Sequence, residues 1–179
     1  RARATSGPIL AGGKIITGRQ CQPDATFEGC VVTAHDAATG KELWRTARQD
    51  VPTWSTPAIH TVGGKTQVIV NGWRHMGAYD FETGAEIWKL KSVGGDIPVP
   101  VPVVGDGLVY LTTAHGPGAP VFAIRDTATG DITLPATEST STHVAWSYPR
   151  DGAYMMSPVL YQGLLYVSKN NGVFNVFDA

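Results

Sequence analysis

The side chains able to bind or react sit in short segments between apolar runs. Asn71-Gly72-Trp73-Arg74-His75 brings an amide, an indole, a guanidinium and an imidazole within five positions. Asp96, His115, Arg150-Asp151, Tyr154 and Asn170-Asn171 occupy similar segments further on. An aromatic face beside cationic and amide donors is ligand-binding chemistry. A carboxylate such as Asp96 or Asp151 can act as a general base or a cation ligand. Other signals are absent: there is no GxSxG, HExxH or GxGxxG. Gly64-Lys65-Thr66 ends like a phosphate loop, but Ile59 stands where that motif needs its first glycine, and a strand-like run follows. The histidines (His35, His60, His75, His115, His143) show no paired ligand spacing. His35 and His60 fall in strand-like runs and are expected to be structural. His75 and His115 recur at equivalent loop ends, where a repeated hydrogen bond is the expected reading. Cys21 and Cys30 are too far apart for a CxxC site, and no CxxCH is present. A disulfide in an oxidising compartment is the preferred reading, with two buried thiols as the alternative.

Composition limits what can position these groups. The 179 residues are 42% hydrophobic and 16% charged, with a formal net charge of −1. That supplies a core and gives no basic excess for nucleic acid. No apolar run is long enough to span a membrane as a helix. The chain begins at Arg1 without a signal peptide and reads as a mature or truncated form. With 21 glycines and 12 prolines, long helices have no room, so a helical bundle or a βαβ fold is not expected.

The dominant pattern is a repeat. Ala34-His35-Asp36-Ala37-Ala38-Thr39-Gly40-Lys41-Glu42-Leu43-Trp44 aligns with Ala78-Tyr79-Asp80-Phe81-Glu82-Thr83-Gly84-Ala85-Glu86-Ile87-Trp88. A looser copy runs Ala123-Ile124-Arg125-Asp126-Thr127-Ala128-Thr129-Gly130, with Arg125 inserted and no Trp at the expected distance. A fourth begins at Val176-Phe177-Asp178-Ala179. The acidic residue recurs at Asp36, Asp80, Asp126 and Asp178, a period of 44 to 52. Short β segments at that period predict an all-β fold, a β-propeller of four-stranded antiparallel blades. About three to four blades are expected, near 7–47, 54–91, 97–135 and an incomplete 154–179. In the second blade the strands are expected at 56–61, 66–71, 76–80 and 86–90. Proline-marked segments, Ser55-Thr56-Pro57, Ile97 to Val104 and Ser157-Pro158, lead into the innermost strands.

The acidic turn has a physical reason. Its carboxylate can accept backbone N–H groups, and its glycine can take φ > 0 in a bulged hairpin. Asp36, Gly40, Asp80, Gly84, Asp126 and Gly130 are therefore structural. Trp44 and Trp88, four residues past their glycines, are expected to dock one blade on the next. In this layout the loops joining strand b to c and strand d to a open on one face, which gathers the groups named at the outset.

The run AxDxxTGKExW resembles the tryptophan-docking repeat of the pyrroloquinoline-quinone (PQQ) quinoproteins and their cofactor-free relatives. The segment 12–44 is similar to an early blade of PQQ-dependent alcohol dehydrogenases. The segment 54–125 looks more like the propeller lipoprotein family of the outer-membrane barrel-assembly machinery. The second likeness implies a periplasmic or secreted binding or scaffold module without cofactor. The first implies part of a PQQ- and calcium-dependent alcohol dehydrogenase. Those enzymes carry adjacent cysteines beside the quinone, and this chain has none adjacent. A quinone would need Arg and amide donors, a Trp face, calcium ligands and a base, for which Asn71, Trp73, Arg74, Asp96 and Asp151 are the candidates. The incomplete fourth blade implies a partner protein, or self-association, completing the ring.

Overall fold

The computed structural model describes residues 6–19, 29–92, 97–115 and 118–179. These residues form strands, turns and loops and contain no helix. Four antiparallel units follow one another along the chain. The first is β1 (Ile9–Ala11), β2 (Lys14–Arg19), β3 (Cys30–Asp36) and β4 (Glu42–Arg48), in spatial order. The second is β5 (Ala58–Val62), β6 (Lys65–Val70), β7 (Met76–Asp80) and β8 (Glu86–Leu90). The third begins with β9 (Val103–Gly105), β10 (Leu108–Thr112) and β11 (Val121–Arg125). After β12 (Gly130–Asp131), which joins the second sheet, β13 (Val144–Tyr148) completes the third. The fourth has three strands, β14 (Val159–Tyr161), β15 (Leu164–Ser168) and β16 (Phe174–Asp178). This is the expected β-propeller arrangement, as an open series of sheets.

Each first hairpin turns through two residues of positive φ, including the non-glycine Asp106 (φ 54) and Gln162 (φ 51). Such turns match the right-handed twist of the strands they join. In the first two sheets the third hairpin closes on its acidic residue. Asp36 Oδ1 accepts from the Thr39 backbone N–H at 2.7 Å and from its hydroxyl at 2.6 Å. Asp80 Oδ1 accepts the same pair from Thr83, both at 2.8 Å. A bulge follows, between Ala34 and His35 and between Ala78 and Tyr79, which brings Trp44 opposite Ala34 and Trp88 opposite Ala78.

The third copy departs from this. Asp126 turns its carboxylate to His60 of β5, 3.0 Å from Nε2. The chain then crosses to the second sheet, where β12 pairs in parallel with β8, Gly130 opposite Trp88. Ile132 N–H donates to Lys89 O at 2.9 Å. The outer strand of the third sheet is therefore β13, beyond the expected limit at residue 135. An insertion of strap residues moves it there. Trp146 of β13 lies opposite Ala123, with a bulge between Ala123 and Ile124. The tryptophan that seemed missing from the third copy is present at the same structural position.

Three apolar clusters fill the spaces between sheets. Ile16, Val32, Ala34 and Trp44 of the first sheet meet Val68, Val70, Tyr79 and Phe81 of the second. Ile69, Met76, Ala78, Trp88 and Leu90 of the second meet Val109, Leu111, Phe122 and Ile124 of the third. Tyr110, Val121 and Ala123 of the third meet Leu165 and Val167 of the fourth, with Trp146 and Phe177 packed against them. The register repeats as well: Ile16 pairs with Ala34, Ile69 with Ala78, Tyr110 with Ala123, and Tyr166 with Val176.

Candidate functional site

The loop Asn71–His75 is shaped by its neighbours. Arg48 ends β4, and its guanidinium lies 3.0 Å from Asp50 Oδ2, with both side chains almost fully buried. The same guanidinium donates to the backbone carbonyl of His75. Asp50 in turn accepts backbone N–H groups from Val51 (2.8 Å), Arg74 (2.9 Å) and Trp73 (3.2 Å). A carboxylate accepting several N–H bonds beside a guanidinium is a well-satisfied buried charge. Gly72 permits the close approach, since a Cβ there would lie 2.1 Å from Asp50 Oδ2. The sequence gives no hint of this clamp, because Asp50 belongs to no motif and acts across the gap between two sheets.

The loop's own side chains divide into two kinds. Asn71 is buried and donates both amide hydrogens to the third sheet's side, to Pro100 O at 2.8 Å and Thr112 O at 2.9 Å. Its Oδ1 accepts from Gly72 N–H at 2.9 Å. It ties sheets together and offers no amide hydrogen to a ligand. Trp73 is half-buried and Arg74 exposed, with the guanidinium stacked 4.7 Å from the indole centre. His75 contacts Glu86 through Nε2 and has the Tyr79 hydroxyl 3.5 Å away. Burial pushes the His75 pKa down, and the Arg48 charge adds to this, against the opposing pull of Glu86. Burial pushes the Tyr79 hydroxyl up to about 12.

The other predicted site residues lie elsewhere. Asp151 stands 3.6 Å from Lys169 Nζ and 3.5 Å from the Asn175 amide. Nearby, the His115 and Tyr154 rings lie 5.1 Å apart in a tilted contact, and both line a cavity of about 330 Å³ with Asn170 and Asn171. Arg74 lines a different cavity, also about 330 Å³, with His75, Lys89 and Lys91. Asp151 lines neither of these two cavities. Asp96 and Cys21 lie outside the described residues, so the Cys21–Cys30 pairing does too. Among the described residues no three His, Cys, Asp or Glu side chains are grouped to hold a metal. Among the described candidates, the Asn71 amide is thus engaged within the protein, Arg74 lies against Trp73, and Asp151 lies against Lys169 and Asn175.

Comparison with known proteins agrees with the repeat. A family profile described as outer membrane protein assembly factor BamB matches residues 28–172. The lanthanide-dependent methanol dehydrogenase of Methylacidiphilum fumariolicum is 36% identical over 97 residues, which is 50% of this chain and 15% of that enzyme. The quinoprotein ethanol dehydrogenase of Pseudomonas aeruginosa is 27% identical over 110 residues, 60% of this chain and 17% of that enzyme. The chain thus spans less than a fifth of these relatives' length. The crystal structure of BamB from Moraxella catarrhalis superposes with a TM-score of 0.57 at 18% identity, over 98% of this chain and 46% of that one. With the profile matching most of its length, the chain belongs to the PQQ-like β-propeller family described by BamB.

Proposed function

We propose that this chain is a binding or scaffold module of the cell envelope, periplasmic or secreted, whose fourth sheet receives a further sheet from a partner protein or a second copy. One observation carries this reading. Val159, Tyr161, Phe174 and Val176 are 59%, 61%, 61% and 49% exposed, and they form one face of the fourth sheet. The counterparts of Phe174 and Val176, which are Val32 and Ala34 in the first sheet and Met76 and Ala78 in the second, are fully buried beneath the next sheet. A contiguous apolar face of this kind is an association surface. Among the described residues no strand pairs with the outer edge of β16, an edge of the sort that accepts a strand. Trp44 and Trp88 act as the docking residues between sheets, and a Cys21–Cys30 disulfide suits an oxidising envelope compartment. Membership of the BamB-described family supports the envelope location.

Light scattering across a concentration series tests the reading. Wild type is expected to show a mass above one chain, and Phe174→Asp to reduce it to one. A compact single chain at every concentration, unchanged by Phe174→Asp, would contradict the second copy and leave a partner protein as the source of the further sheet.

A second reading has its own support, the 36% identity to a methanol dehydrogenase. Under it, the chain is part of a PQQ- and calcium-dependent alcohol dehydrogenase. Adding PQQ and Ca²⁺ should then raise the melting temperature and give a quinone absorbance band. No change at saturation favours the scaffold.

A further inference from the structure

The dipeptide Asn-Gly occurs twice, at Asn71-Gly72 and at Asn171-Gly172. It is the pair least hindered for attack of the backbone on the preceding amide, because the second residue has no Cβ to shield its nitrogen. The two copies stand in opposite surroundings. Asn71 is buried, donates both amide hydrogens to Pro100 O and Thr112 O, and accepts the Gly72 N–H on Oδ1. A Cβ at Gly72 would lie 2.1 Å from Asp50 Oδ2, so the space around that pair is filled. Asn171 and Gly172 are both exposed, in the loop that joins β15 to β16. Gly172 has φ +83, and no described atom lies within 4 Å of a Cβ built there. Asn171 Oδ1 accepts the Val173 N–H at 3.2 Å, which draws electron density from Cγ. The Asn171 Nδ2 has no partner among the described residues. One turn bond, from Gly172 N–H to Lys169 O at 3.0 Å, restrains the nitrogen. A bond at an exposed loop opens at little cost, whereas freeing Asn71 breaks contacts between sheets.

We propose that Asn171 is a site of spontaneous deamidation, from which the fold protects Asn71. The Gly172 backbone nitrogen loses its proton to solvent base and forms a bond to Asn171 Cγ. The Cγ–Nδ2 bond breaks, and Nδ2 takes a proton from water and leaves as ammonia. Water then opens the cyclic imide at either carbonyl, giving an aspartyl or an isoaspartyl residue, with no oxidant or reductant involved. Either product puts a carboxylate where a neutral amide stood, on the cavity of about 330 Å³ that Asn171 lines with His115, Tyr154 and Lys169. The isoaspartyl product also adds a methylene to the backbone just ahead of β16. The assignment does not depend on the scaffold reading.

Incubation of the full chain at mildly alkaline pH tests it, followed by peptide mass mapping with fragmentation that separates Asn170 from Asn171. In the folded chain Asn171 is expected to convert from amide to acid at least about tenfold faster than Asn71. Mildly acidic pH should slow the conversion, since the attacking nitrogen must lose its proton. In guanidinium, where neither pair is held by the fold, the two rates should converge. Asn171→Gln should remove the conversion from its peptide, because the longer side chain closes a ring far less easily. Equal rates at Asn71 and Asn171 in the folded chain would overturn the proposal. So would conversion of Asn171 in guanidinium but not in the folded chain, or a conversion that persists in Asn171→Gln.

Discussion

Trp44 donates its indole N–H to the carbonyl of Phe81 at 3.0 Å, from the outer strand of the first sheet to the turn of the second. Trp88, one repeat later, is fully buried, and its indole N–H has no partner among the described residues. The difference follows from the turn each meets, since the third turn gives its carboxylate to His60 and leads into the strap. Trp44→Phe is therefore expected to lose about 1 kcal/mol for the hydrogen bond beyond any packing loss. Trp88→Phe also removes an unsatisfied donor whose burial costs about 1–3 kcal/mol, so it should destabilise less. Urea midpoints of the two variants check the order.

The same contact makes two equivalent glycines unequal. Gly40 and Gly84 both have φ near +74, and an alanine at either is strained by about 1–3 kcal/mol. A Cβ at Gly84 would also lie 2.6 Å from Trp44 Cε3, whereas nothing lies within 4 Å at Gly40. Gly84→Ala should lower stability by a further ~1–3 kcal/mol over Gly40→Ala. Equal midpoints for the two would show that the indole moves aside freely.

Asp50 is expected to hold the Asn71–His75 loop. Asp50→Ala leaves the Arg48 guanidinium buried without its carboxylate, a loss of about 3–5 kcal/mol. It also frees the Trp73 and Arg74 amides, whose hydrogen exchange should accelerate more than that of the β2 amides. Uniform acceleration across the chain would mean only global destabilisation.

Acid should act in two steps. The Thr39 hydroxyl holds the Asp36 carboxyl below its ordinary range, and Thr83 and Thr133 do the same for Asp80 and Asp131. A carboxyl depressed in the folded state contributes stability above its unfolded pKa, about 3.9, and loses it as pH falls through the folded value. His75 is depressed as well, by burial first. Its contribution is complete above the unfolded pKa of about 6.5 and declines as pH falls from there. Thermal midpoints should therefore fall below pH ~6.5 and again below ~4. His75→Gln should remove the upper step, and Thr83→Val should reduce the lower one.

The repeat was legible because turn chemistry is local. Asp36 to Thr39 and Asp80 to Thr83 are three positions apart, and β7 and β8 fall at the expected 76–80 and 86–90. Trp146 was not legible, because the strap separates it from Gly130 by 16 positions where Trp44 and Trp88 follow their glycines by four. Only the shared pairing with an alanine on the neighbouring strand reveals its equivalence. The parallel pairing of β12 was equally hidden, as two residues carry no periodicity. The binding groups were legible by type but not by placement. Asn71 reads as a free amide and is buried in backbone contacts, while Lys89 and Lys91 look like ordinary outer-strand lysines and only the structure shows them lining a cavity with Asp131 and Thr133 of the strap.

Hydrogen exchange along β16, read against β7 in the same sample, tests most directly whether the fourth sheet awaits a neighbour. In dilute solution about half of the Phe174–Asp178 amides should exchange quickly, as befits an edge strand, while those of Met76–Asp80 stay protected. Raising the concentration, or adding the partner, should slow β16 selectively. Equal protection of both strands in a dilute, single-chain sample would contradict the account, because the exposed face would then already be covered.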